Sequence, residues 1–256
     1  LAYFERLDES TYRAGEHTTG AWSLDEQHIG PSLGLLVHEI ERDRDTRRDD
    51  GLQIGRLSYD ILGTVPVGDM TIDVRVVRPG RTIELVEAAL AHGGRDIVLL
   101  RAWLMAGGDT GAYAGTALSS IPPRTQMPAW SPSEVWPGGF IASADAYRHQ
   151  YEPGRAAYWV RAKVPLIRDE AVSPLARVSG LIDIANGFTV RQSPDIVAFP
   201  NVDLTAHFFN QPAGEWLGFD TSVSFGANGL GLTHSILHDE TGPIGAMSQF
   251  LTVRPR

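Results

Sequence analysis

The 256-residue chain has no cysteine. That single absence removes disulfides, thiolate metal sites and cysteine nucleophiles together. It has one lysine, Lys163, and its 22 basic residues are outnumbered by 31 acidic ones, for a formal net charge of -9. A nucleic-acid binder needs a basic stripe that displaces counterions. The densest charge cluster, Glu41 to Asp50, carries both signs and reads as a solvated helix end and loop. Nucleic acid and anionic membranes are therefore excluded as expected partners. No apolar run approaches 18 residues, so no spanning helix is expected. The first residues, Leu1-Ala2-Tyr3-Phe4-Glu5-Arg6, do not read as a signal peptide, and the missing initiator Met suggests trimming. A soluble, cytoplasmic protein is the resulting expectation.

Hydrophobic residues make up 43% of the chain and charged residues 21%, enough apolar material for a substantial core. Residues 107–140 hold five prolines and six glycines, a run that continues neither a helix nor a central strand. This divides the chain into a unit over 1–106, a linker over 107–149 and a unit over 150–256. Trp130 and Trp136 in the linker imply that it packs down on the protein.

Each unit reads as a strand, a helix and four further strands. In the first, a strand near residues 4–14 precedes a helix over 31–44, opened by Pro31. Strands are expected over 57–63, 70–78, 82–92 and 96–105. In the second, a strand near 156–164 precedes a helix from Ser173-Pro174 to about Gly187, with Ser173 as its cap. Strands follow over 202–209, 216–225, 230–238 and 244–253. From Pro31 to Asp60 is 29 residues, and so is the distance from Pro174 to Asp203. The common spacing predicts an α+β protein made of a duplicated β-α-β-β-β-β unit. Each unit lays a central helix on an antiparallel sheet, and the two sheets join edge to edge.

The helix from Pro174 is apolar on most sides, which marks it as buried. On a regular helix Ser179, Asp183 and Asn186 would share one narrow polar stripe. A carboxylate there needs a partner or a purpose, either chemistry or a structural bond to a loop or to Arg177. On the last strand Gly245, Met247, Gln249, Leu251 and Val253 share the apolar face. Gln249 is therefore a polar group on a core-facing row, used either in chemistry or to satisfy a backbone group. Asn201 follows Phe199-Pro200 at the start of a strand, where asparagine is also a common turn residue.

Three stretches carry a family resemblance: Leu181-Ile182-Asp183-Ile184-Ala185-Asn186-Gly187; Phe199 to Thr205 followed by Gly214-Glu215-Trp216-Leu217-Gly218; and Gly245 to Pro255. In this order they resemble the acyl-CoA thioesterase II family of double-hotdog proteins. The resemblance implies hydrolysis of an acyl-CoA thioester by water held by an Asp, a Thr or Ser, and a Gln. These fall on Asp183, Asn201 and Gln249, and Asn201 departs from the family hydroxyl. It implies no cofactor and no metal. Two alternatives stay open: a non-catalytic acyl-CoA-binding protein, and a hydratase or dehydratase built on a His–Asp pair. Against the latter, no histidine lies one helical turn from Asp183.

The first helix has Ile40 at the step where the second has Asp183, so one half is expected to hold the chemistry. The His28-Ile29-Gly30-Pro31-Ser32 mouth of the first helix could form the opposite wall, with N–H groups that polarise a carbonyl. Gly30-Pro31-Ser32-Leu33-Gly34 fits a nucleophile-elbow pattern, yet no buried strand precedes it. His234 and His238 share a strand face without a third ligand at zinc spacing. An exposed sheet edge makes a homodimer an expected partner.

Overall fold

The computed structural model describes residues 1–256. The first unit opens with a hairpin, β1 (Phe4–Arg6) and β2 (Thr11–Ala14). The expected single strand is broken because Asp8 Oδ1 accepts the backbone N–H groups of Ser10 and Thr11 and turns the chain. Helix α1 (Ile29–Arg47) follows, then β3 (Gln53–Ile61), β4 (Asp69–Arg78), β5 (Ile83–His92) and β6 (Arg95–Met105). The second unit has β7 (Ala144–Glu152), β8 (Arg155–Ala162), helix α2 (Pro174–Ser179), a 3-10 turn at Ile182–Ile184 and helix α3 (Ala185–Phe188). It ends with β9 (Asp203–Phe208), β10 (Leu217–Phe225), β11 (Leu230–Asp239) and β12 (Gly242–Thr252).

These strands form one antiparallel sheet in the order β1-β2-β4-β5-β6-β3-β9-β12-β11-β10-β8-β7, with the two-residue strand Ala129–Trp130 beyond β7. The order reads the same from either end, as a duplication requires. At its centre β3 pairs with β9, and Asp60 stands directly opposite Asp203. The two aspartates at equal distance from Pro31 and Pro174 thus meet across the seam, which is the expected edge-to-edge junction. On either side Ser58 and Thr205 share a hydroxyl hydrogen bond of 3.1 Å, and Asp203 Oδ1 accepts the Phe250 N–H at 2.6 Å.

A single cluster of 51 buried side chains runs through both units, so the halves share one core. Leu33, Leu35, Leu36, Val37 and Ile40 of α1 are fully buried in it, each stabilising the fold by about 1.5–3 kcal/mol. The two helices cross where neither has room for a side chain. A Cβ on Gly34 would lie 2.5 Å from the Ala176 carbonyl oxygen and 2.8 Å from the Gly180 nitrogen.

Three further elements differ from the sequence expectation. Helix α1 begins two residues before Pro31 because His28 caps it, its Nδ1 accepting the Gly30 N–H at 3.0 Å. The second helix is not continuous to Gly187. It stops at Gly180, against the first turn of α1, and restarts after a tight turn. The stretch read as a linker contains a short helix, Gly139–Ala142, and the first part of strand β7. No helix is long and apolar enough to cross a membrane.

Candidate active site

The break in the second helix puts Asp183 in the 3-10 turn, buried with 4% of its surface exposed. Asn201 sits just before β9, and Gln249 points inward from β12, where residues 247, 249 and 251 alternate as buried against more exposed neighbours. The structure brings all three together. Asp183 Oδ1 accepts from Asn201 Nδ2 at 2.7 Å and from Gln249 Nε2 at 3.0 Å. Asn201 Nδ2 also donates to the Asp203 carbonyl at 3.1 Å, which fixes its amide. Gln249 Nε2 approaches the Asp183 carbonyl at 3.3 Å.

The two carboxylate oxygens are thereby made unequal. Oδ1 is held by two amides. Oδ2 receives no hydrogen bond and lies 3.9 Å from His28 Nδ1. Burial pushes the Asp183 pKa up to about 7, and the amide donors of Asn201 and Gln249 pull against that rise. The group can therefore change protonation state near neutrality.

A cavity of about 510 Å³ opens over this carboxylate. Asp183 and Asn201 line it, together with His28 and Ile29 from the opposite half, and Arg254 and Arg256 at the end of the chain. Gln249 does not line it and is fully buried behind Asp183. Asn186 also faces the cavity, but its amide is used structurally, donating to the Phe199 carbonyl at 3.2 Å and accepting the Gly187 N–H at 2.8 Å.

His28 stands on the wall opposite Asp183, where the mouth of the first helix was expected. It comes from the other half and meets Asp183 only through the helix crossing. Burial drops its pKa to about 3, so the ring is neutral. Its Nδ1 accepts the Gly30 N–H, which assigns the ring proton to Nε2. Nδ1 therefore has no proton to give Asp183, and the two do not form the hydrogen-bonded His–Asp pair of a hydratase. The same cap occupies the Gly30 N–H and Pro31 has none, while the Ile29 N–H makes no backbone hydrogen bond.

The competing motifs resolve differently. Ser32 is fully buried inside α1, with Gln27 Oε1 at 3.5 Å as its hydroxyl partner, and no histidine activates it. His238 is buried, with Nε2 3.1 Å from the Ser119 carbonyl. His234 is exposed on its strand.

Two family models match the chain. The acyl-CoA thioesterase N-terminal domain covers residues 18–105, and the acyl-CoA thioesterase C-terminal domain covers residues 113–253. The chain belongs to the acyl-CoA thioesterase family. It is an enzyme, and its general activity is thioester hydrolysis. Solved structures share the double-hotdog fold over nearly the whole length. An acyl-CoA thioesterase II from Mycobacterium marinum is 16% identical, with 99% of this chain and 96% of that one covered, at a TM-score of 0.69. A proposed thioesterase from Novosphingobium aromaticivorans is 18% identical, with 99% of both chains covered, at 0.75. A hot-dog-fold protein from Alicyclobacillus acidocaldarius is 13% identical, with 97% and 95% covered, at 0.75. No curated protein matches by sequence.

Proposed function

We propose that this thioesterase hydrolyses acyl-CoA with Asp183 as general base, acting through Oδ2 on a water in the cavity. The observation that carries the proposal is the inequality of the two oxygens: one is pinned by Asn201 and Gln249, and the other is free beside the cavity. Water attacks the thioester carbonyl carbon while Oδ2 takes one of its protons. The tetrahedral oxyanion faces the first turn of α1, where the Ile29 N–H stabilises it. Collapse expels the CoA thiolate, which takes up the proton held by Asp183 and leaves as thiol. No covalent enzyme intermediate forms.

Asn201 supports this chemistry in place of a threonine or serine because an amide donor holds Oδ1 as a hydroxyl would. Gln249 is a positioning residue. The phosphates of CoA run toward Arg254 and Arg256 at the cavity margin. The chain is read as two hotdog units, one over 1–106 and a second that begins with β7 at Ala144, with the segment between them docked on both.

Steady-state release of free thiol tests these roles. Gln249→Ala is expected to lower kcat roughly 10-fold, with KM little changed, since orientation rather than chemistry is lost. Removing a donor from the carboxylate also raises its pKa, so the midpoint of the pH–rate curve moves up. A loss of activity with an unmoved midpoint would make Gln249 merely structural. Ser32→Ala is expected to keep near wild-type turnover. An inactive Ser32→Ala that still folds, beside an active Asp183→Asn, would favour a serine nucleophile.

A further inference from the structure

A second, much smaller pocket continues from the open cavity past His28 and Asn186. Its walls are Trp22, Trp136, Ile141, Ile184 and Phe188, and it holds about 20 Å³ of free space. By the same measure a single water needs on the order of 10–15 Å³. We propose that this pocket receives the acyl group, that Trp136 closes its end, and that the enzyme acts on short acyl-CoAs of about two to four carbons. The proposal rests on the thioester carbonyl lying beside Asp183.

From that carbonyl the substrate has two ways to go. CoA is large, polar and polyanionic, which suits the 510 Å³ cavity with its two arginines. The acyl group is small and apolar, and the adjoining pocket is lined by aromatic and aliphatic side chains. The end wall is built to stay in place. Trp136 is 4% exposed, and its indole N–H donates to the Gly187 carbonyl at 2.8 Å. The ring lies flat enough on Gly187 that a Cβ there would come within 3.2 Å of Nε1. Trp22 packs edge-on against Trp136 at 4.8 Å and 76°, and Phe199 braces both rings.

The backbone on either side is tied as well. The Gly139 N–H donates to Thr19 Oγ1 at 2.9 Å, and the Phe140 N–H to the Thr19 carbonyl at 3.1 Å. The segment carrying Trp136 is thus fastened to the loop carrying Trp22. The segment joining the two units therefore supplies a specificity-determining residue, and the pocket is complete only when it is docked.

The test is kcat/KM for acetyl-, butyryl-, octanoyl- and palmitoyl-CoA, with wild type, Trp136→Ala, Trp136→Leu and Ile141→Ala. Wild type should favour butyryl or shorter over octanoyl by roughly 100-fold. Trp136→Ala should shift the octanoyl-to-butyryl ratio upward by roughly 10-fold or more. Trp136→Leu and Ile141→Ala open the same space if the alanine variant does not fold. A wild-type preference for octanoyl or palmitoyl overturns the proposal without any variant. An unchanged ratio in every folded variant overturns it too. Asp183→Asn, assayed alongside, separates the two claims. If it is inactive on all four substrates while the length profile is wrong, the pocket assignment alone fails. If it stays active with the short-chain profile intact, the water site alone fails.

Discussion

Asp183→Asn is expected to lower kcat by roughly 100-fold or more, the usual scale for loss of a general base, while KM stays within a small factor. Asparagine keeps the shape of the side chain. Its carbonyl oxygen can take over the role of Oδ1 and accept from Asn201 and Gln249, so the surrounding hydrogen bonds survive. What is lost is the basic Oδ2, the only oxygen of the site free to take a proton beside the cavity. The loss therefore falls on the chemical step and not on binding. A variant with unchanged kcat would show that water is activated elsewhere.

The same substitution is expected to stabilise the fold, and only above a certain pH. Asp183 ionises near 3.8 in the unfolded chain and, because burial penalises its charge, near 7 in the folded one. Between those values the folded state holds a proton that the unfolded state has released, so stability is lost as pH rises through the window. Above pH 7 the full penalty is present, on the order of 4 kcal/mol. Asparagine carries no such penalty. Thermal melts of wild type and Asp183→Asn should coincide near pH 3–4, diverge in favour of the variant through pH 5–7, and differ by a constant amount above pH 8. His28 acts in the opposite sense. Its folded pKa is about 3 against 6.5 unfolded, so it costs stability as pH falls below 6.5. Both proteins contain it, and the difference between their melts isolates Asp183. Equal melting temperatures at pH 8 would mean that the carboxylate is not desolvated.

The sequence carried the architecture because duplication wrote it twice. Equal spacing from proline to aspartate in each half predicted equivalent elements, and Asp60 and Asp203 do face each other at the seam. The alternation along residues 245–251 correctly turned Gln249 inward. Neither pattern reveals contacts between halves. The second helix breaks at Gly180 because α1 crosses there with no room for side chains, a tertiary cause absent from its own periodicity. His28 reaches Asp183 through the same crossing. The sequence placed it at the mouth of the first helix but not as the cap, since histidine is not among the usual capping residues. Strand β7 was obscured for a different reason. It lies near the sheet edge, and its Ala-Asp-Ala-Tyr-Arg-His-Gln-Tyr-Glu run is too polar to stand out from the stretch before it. The tryptophans marked the Pro/Gly-rich segment as docked, and Trp136 is buried on Gly187, but nothing in the segment's own residues named that surface.

The pH dependence of kcat/KM for wild-type thiol release, measured from pH 5 to 9 on one good acyl-CoA, tests the central claim most directly. With Asp183 as the base, the rate should fall about tenfold per pH unit below pH 7 and level off above it, following the proton on Oδ2. A rate that is flat from pH 5 to 8, or that falls as pH rises, would contradict a carboxylate base with a raised pKa at this site.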